Sequence, residues 1–137
     1  MNALDVPALE AAHALLDDVL ADRELRVIVL AGQGRGFCAG LDLKSLLDSQ
    51  GRVHWTVEEA MHLQRLFAGL VERLRGCDAP VIAAVQGVAV GAGMALALAA
   101  DVRFASPRAS FHVGAVKIGL SAGECGMSYH LPRLLGA

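Results

Sequence analysis

Aromatic side chains are scarce in this sequence, at 4% of 137 residues, and 12 basic residues stand against 14 acidic ones for a net charge of −2. A nucleic-acid surface needs a basic face, so nucleic acid is excluded as the main partner. Cysteine is sparse too. Cys38, Cys77 and Cys125 are odd in number, far apart and free of any C-x-x-C pair. That pattern excludes a disulfide framework and a zinc site, and fits free thiols in a reducing compartment. No apolar run reaches the length of a membrane span. The longest uncharged stretch, Ala79 to Ala100, is broken by Pro80, Gln86 and three glycines. The N-terminus carries Asp5 and Glu10 and lacks a basic-then-apolar signal pattern, which predicts a cytoplasmic location. Internal repeats and low-complexity tracts are absent.

What is present is globular in character: 55% hydrophobic and 19% charged residues, enough for one domain over residues 1–137 with a real core. Leu4 to Asp22 has helical spacing with Asp5 as its N-cap. Arg26 to Ala31 is an uninterrupted β-branched run, as expected of a strand buried on both faces. Gly32 to Gly36 is a turn, and Ser49 to Thr56 a polar loop. Glu58 to Arg75 is the longest amphipathic helix, with Met61, Leu63, Leu66, Phe67, Leu70, Val71 and Leu74 on its apolar stripe. Gly76 is expected just past its end. Val81 to Val85 is a short buried strand, and Gly87, Gly91 and Gly93 make a glycine turn. Met94 to Ala100 carries no charge and is read as a helix buried on every side. Val102 to Ser106 and Ser110 to Val113 are strands, and Ser128 to Leu135 a last helix. The order α-β-α-β-α-β predicts an α/β fold.

Three glycine patterns compete for function. Gly91-Ala-Gly93 suggests a dinucleotide fingerprint, but the third glycine falls on Leu96 and no acid lies about 20 residues on. Gly119-Leu-Ser121-Ala-Gly123 matches the nucleophile elbow and makes a serine hydrolase at Ser121 an alternative. Its acid and histidine, Glu124 and His130, follow too closely for a triad. The third pattern joins two loops, Cys38 to Asp42 and Gly87 to Gly93. Each follows an apolar strand. If those strands are neighbours, one backbone N–H from each loop converges on a single oxygen as an oxyanion hole.

Phe37-Cys-Ala-Gly-Leu-Asp-Leu, Pro80-Val-Ile-Ala-Ala-Val-Gln-Gly-Val-Ala-Val-Gly-Ala-Gly, Ala100-Asp-Val-Arg-Phe-Ala-Ser, Lys117-Ile-Gly-Leu and Leu131-Pro-Arg-Leu-Leu-Gly resemble the enoyl-CoA hydratase/isomerase (crotonase) superfamily, as does the early Asn2-Ala-Leu. The resemblance covers essentially the whole chain in order. It implies a crotonase-like spiral of ββα units, incomplete at both ends, and an acyl-coenzyme A thioester as ligand. By the same resemblance the oxyanion donors are the N–H groups of Leu41 and Gly93, and Ala39, Gly40, Asp42 and Lys44 meet the coenzyme. Coenzyme A is then part of the substrate, with no separate cofactor and no metal, and the assembly is a homotrimer or hexamer. The C-terminal helices that cover the acyl site in the family are missing, so exposed apolar surface is expected.

The departures matter as much. Where typical hydratases carry their two glutamates, this chain has Ala95 and Ala115. Glu124 falls where dienoyl-CoA isomerase-like members place an aspartate. It reads equally as a proton-shuttling base and as a helix cap. An inactive acyl-CoA-binding relative is therefore an alternative to an enzyme. His112 is read as a packing or surface residue, His130 as a surface residue, Asp101 as structural, Lys44 as a solvated lysine, Cys125 as packing, and Tyr129 as a candidate pocket wall.

Overall fold

The computed structural model describes residues 1–52, 54–121 and 123–136, and gives the backbone alone for Ile118 and Glu124. The chain opens with strand β1 (Ala3–Leu4) and helix α1 (Val6–Ala21). Asp5 caps α1 by accepting the Ala8 N–H at 2.9 Å, and Pro7 sits in the first turn, where its missing N–H costs nothing. Leu9 and Leu16, one face of α1, are buried.

The rest is a repeated unit of two strands and a helix. Strands β2 (Ile28–Ala31) and β3 (Gly40–Leu41) precede α2 (Val57–Gly76). Strands β4 (Val81–Val85) and β5 (Val88–Val90) precede α3 (Ala92–Ala99). Strands β6 (Val102–Ala105) and β7 (Ser110–His112) are followed, after two 3-10 turns, by α4 (Met127–Leu135). First strands pair with first strands: β2, β4 and β6 form one parallel sheet with Ile28 opposite Val81 and Ile82 opposite Val102. Among the second strands, β5 pairs in parallel with β7 and β3 with β1, and a bridge from Cys38 to Ala89 joins the two pairs. Parallel neighbours need a crossover, and α2 and α3 supply it. This is the expected spiral of ββα units.

Several expected elements differ. The order α-β-α-β-α-β becomes a double-strand repeat, because β5 lies inside the glycine turn between Gly87 and Gly91. Gly76 is the last residue of α2 rather than the residue beyond it, and Cys77 ends the helix in extended conformation. At its other end α2 is held by a capping box, in which Thr56 and Glu59 exchange side-chain and backbone bonds of 3.2 and 2.7 Å. Met61 is 52% exposed and leaves the apolar stripe, whose buried members are Leu63, Phe67, Leu70, Val71 and Leu74. Strand β2 is not buried on both faces. Ile28 is buried, whereas Val29 is 59% exposed, and the same outer face carries Val102 and Phe104 across the register.

The core lies between that sheet's inner face (Val81, Ala83, Val85), α1, α2 and α3. Helix α3 is buried along most of its length, and its small residues let the surrounding strands approach closely. Its C-terminal carbonyls, Ala97, Leu98 and Ala100, are bonded by the Arg103 guanidinium. Asp101 accepts the Val81 N–H at 2.9 Å and pairs with Arg75 at 3.1 Å, the structural role expected of it.

Leu9 is wholly buried, so Leu9→Ala should lower unfolding free energy by about 3 kcal/mol. Urea denaturation followed by circular dichroism measures it, and a loss under about 1 kcal/mol would contradict the packing described.

Candidate functional site

The loops Cys38–Asp42 and Gly87–Gly93 do meet, though not directly at the ends of β2 and β4. They meet one strand later, where the stretch Phe37–Cys38 just ahead of β3 runs beside β5. Val90 donates its N–H to the Cys38 carbonyl at 2.9 Å, and both Phe37 and Cys38 donate to the Val88 carbonyl at 3.0 and 3.2 Å. The contact tolerates no side chain at two places. A Cβ on Gly93 would lie 2.3 Å from the Cys38 carbonyl oxygen, and one on Gly40 would lie 2.5 Å from that of Val90. Gly40 also has φ +78°, a left-handed conformation that favours glycine.

Gly93 is buried in the first turn of α3, and the first intrahelical bond there runs from Ala95 N–H to the Gly91 carbonyl at 3.0 Å. The N–H groups ahead of Ala95, that of Gly93 among them, therefore have no partner within the helix, and no side chain caps it. They form the positive end of the helix dipole. Leu41, half-buried in β3, sits opposite Leu4.

The other expected ligand residues spread along the same loop. Ala39 donates its N–H to the Met1 carbonyl at 3.1 Å. Gly40 donates to the Cys38 sulfur at 3.4 Å. Burial pushes the Cys38 thiol above its ordinary value, against the pull of that N–H, so Cys38 stays a neutral packing group. Asp42 caps the 3-10 turn Leu43–Leu46 by accepting the Lys44 N–H at 3.0 Å, and Lys44 itself is exposed.

Glu124 opens a 3-10 turn, Glu124–Gly126, packed against α2, α3 and α4. Its side chain lies outside the described residues. Cys125 and Gly126 both take positive φ, 53° and 79°, which bends the chain sharply into α4. Ala95 is wholly buried and Ala115 nearly so. Ser121 follows the 3-10 turn Ala115–Ile118 rather than a strand, and its hydroxyl accepts the Gly123 N–H at 3.0 Å. The strand that a nucleophile elbow needs is therefore not there.

Between α2 and α4 runs a groove of about 630 Å³ walled by Gln64, Val71, Arg75, Cys125, Tyr129 and His130. Tyr129 thus lines a pocket, with Arg133 stacked 3.5 Å above its ring. His130 is half-buried in this groove, not on the open surface, because α4 turns that face toward α2. The side chain of His112 is exposed, while its carbonyl receives the Gly91 N–H at 2.9 Å. Sequence reasoning missed Asn2 and Gln86 as structural donors, although each stands inside a motif already singled out.

Comparison with known proteins agrees with this fold. The family model described as Enoyl-CoA hydratase/isomerase matches residues 1–137. The probable enoyl-CoA hydratase echA12 of Mycobacterium leprae is 41% identical over 138 residues, covering 100% of this chain and 47% of that protein. The 1,2-epoxyphenylacetyl-CoA isomerase of Escherichia coli is 41% identical over 122 residues, covering 88% of this chain and 45% of its own. A crystal structure of a probable enoyl-CoA hydratase/isomerase from Mycobacterium abscessus superposes with a TM-score of 0.83 at 36% identity, over 98% of this chain and 49% of that one. The chain spans about half the length of the curated relatives it matches.

Two measurements check the site's packing and electrostatics. Gly93→Ala forces a methyl group against the Cys38 carbonyl, and should lower the urea midpoint by the equivalent of about 1–3 kcal/mol; an unchanged midpoint would mean the loops are not in contact. Desolvation, with Arg75, Arg133 and Arg103 nearby, holds the His130 pKa below its ordinary 6.5. The unfolded chain then takes up the proton first as pH falls. Stability from this group is complete above about 6.5 and is lost as pH drops toward the lowered native value. The thermal midpoint of His130→Gln should therefore fall less between pH 7.5 and pH 5.5 than that of the parent; parallel pH curves would exclude the effect.

Proposed function

Because the chain belongs to the enoyl-CoA hydratase/isomerase family, we propose that it acts on an acyl-coenzyme A thioester, as an enoyl-CoA hydratase or a double-bond isomerase. The thioester carbonyl oxygen accepts hydrogen bonds from the Leu41 and Gly93 N–H groups. The negative charge of the enolate develops on that oxygen, where preorganised dipoles are worth most. Losing one such donor costs on the order of 3 kcal/mol of barrier. The observation that carries this reading is the contact between the two loops, fixed by the Val90–Cys38 bond of 2.9 Å and by the glycines that allow it. Ala39, Gly40, Asp42 and Lys44 lie along the coenzyme on this reading.

The proton is the task of Glu124. Position 95 is sealed in the core, so a carboxylate there would pay a burial cost that alanine avoids. Isomerisation needs only one carboxylate: it takes a proton from the α carbon, leaving a dienolate, and returns it at the γ carbon. Hydration by one carboxylate asks it to take a proton from water as oxygen joins the β carbon, and to deliver a proton at the α carbon. Assembly as a homotrimer or hexamer in the cytoplasm belongs to the same proposal, and sedimentation velocity reads the oligomer.

Ala95 and Ala115 favour a second reading, an acyl-CoA binder without chemistry. Exchange of the α protons of a saturated acyl-CoA in heavy water separates them. The enzyme reading expects exchange by the native chain and a loss of at least about 100-fold in Glu124→Gln, with acyl-CoA binding nearly intact. Binding without exchange would leave the second reading standing. Full exchange by Glu124→Gln would remove Glu124 from the mechanism.

A further inference from the structure

The segment that leads into the proposed oxyanion loop has almost no side chains by which to be held. Gly32-Gln-Gly-Arg-Gly36 forms the corner between β2 and β3, and its glycines offer only backbone. Its carbonyls point at two side-chain amides. Gln86, in the corner between β4 and β5, donates Nε2 to the carbonyls of Gly32 at 2.8 Å, Gly36 at 2.8 Å and Gly34 at 3.3 Å. Asn2 donates Nδ2 to Gln33 at 3.0 Å, Gly36 at 3.0 Å and Phe37 at 2.9 Å. The Gly36 carbonyl is shared by both.

Gln86 also reaches the third corner. Its backbone carbonyl accepts the Ser106 hydroxyl at 2.9 Å, between β6 and β7. The corners stack closely enough that a Cβ on Gly87 would lie 2.0 Å from the Arg35 carbonyl oxygen. The amide has one usable orientation, since turning it over would aim Oε1 at three carbonyl oxygens. As it stands, Oε1 is buried and has no hydrogen-bond partner among the described residues. A buried acceptor left in this state is unfavourable, so the donor side of the amide is what the position retains.

The chain leaving the first corner reaches Leu41, and the chain leaving the second reaches Gly93. Sliding one corner against the other would therefore shift one oxyanion donor against the other. We propose that Gln86 is a positioning residue that sets the spacing of the Leu41 and Gly93 N–H groups by locking the three β corners together. The inference rests on the enolate reading above. It adds a residue that never touches the substrate and acts through backbone carbonyls alone.

The test compares Gln86→Leu, which removes the donors at similar size, Gln86→Asn, which keeps an amide, and Leu16→Ala, which weakens the core far from the corners. In the heavy-water exchange assay at saturating acyl-CoA, Gln86→Leu should lose roughly 10- to 100-fold in rate with less than about a 3-fold change in ester affinity. Leu16→Ala should keep the native rate, and Gln86→Asn should recover part of the loss. A Gln86→Leu rate per folded molecule equal to that of Leu16→Ala overturns the proposal. If the native chain shows no exchange, the enolate reading falls, and positioning is judged by amide hydrogen exchange in the free protein. The Phe37, Cys38 and Val90 amides, which are hydrogen-bonded across the contact, should then exchange at least about 10-fold faster in Gln86→Leu than in Leu16→Ala; equal rates overturn the proposal.

Discussion

The contact between the first turn of α3 and the backbone at Cys38 is the constraint on which the rest of the molecule depends. It allows nothing larger than a hydrogen at Gly93. The helix behind it is built from small residues, so that strands and helix close to backbone distance. Parallel pairing sets the alignment: β2 lies in register with β4, and the bridge from Cys38 to Ala89 carries that register into the second layer. Each ββα unit then repeats the path of the one before. Two loops from separate parts of the sequence arrive at one place because the units are copies of a single geometry.

A site built in this way is made of backbone. On the proposed reading, its chemistry comes from N–H groups left over by a helix start, which belong to the backbone and not to any side chain. That explains why the surrounding side chains are bland. Cys38 is held neutral by burial, Ala95 and Ala115 fill space, and Asp42 caps a turn. On the proposed reading, polarisation of a carbonyl and movement of a proton are separated, the first falling to the loops and the second to the segment that bends at Cys125 and Gly126. The corner amides of Asn2 and Gln86 belong to the same design, because glycine loops can be gripped only by their carbonyls.

Much of this was legible in the residues. The helical spacing of Leu9 and Leu16, the Asp5 cap, the Val81–Val85 strand and the junction at Gly93 follow from pattern and local chemistry. The residues that misled did so for physical reasons. Val29 belongs to an apolar run but faces outward, because alternation along a strand does not say which face is covered. Gly76 resembles a helix stop, yet the chain leaves α2 extended and needs no left-handed residue. Strand β5 was hidden because a three-residue strand between two glycines carries the same composition as a turn. His130 took its burial from the packing of α4 on α2, which periodicity does not reveal.

By itself the sequence determined the family, the order of helices and first strands, and the two loops that carry the candidate donors, since caps, periodicity and glycine positions are local and act within a few residues. Only the tertiary structure decided that those loops meet where the backbone ahead of β3 runs beside β5. It also decided that Gln86 and Asn2 hold one corner between them, across 50 and 34 residues of chain at Gly36. Which faces of the β2–β4–β6 sheet and of α4 are covered was settled there too. These are pairings between distant segments, and their energy depends on register and close approach, neither of which any single segment contains.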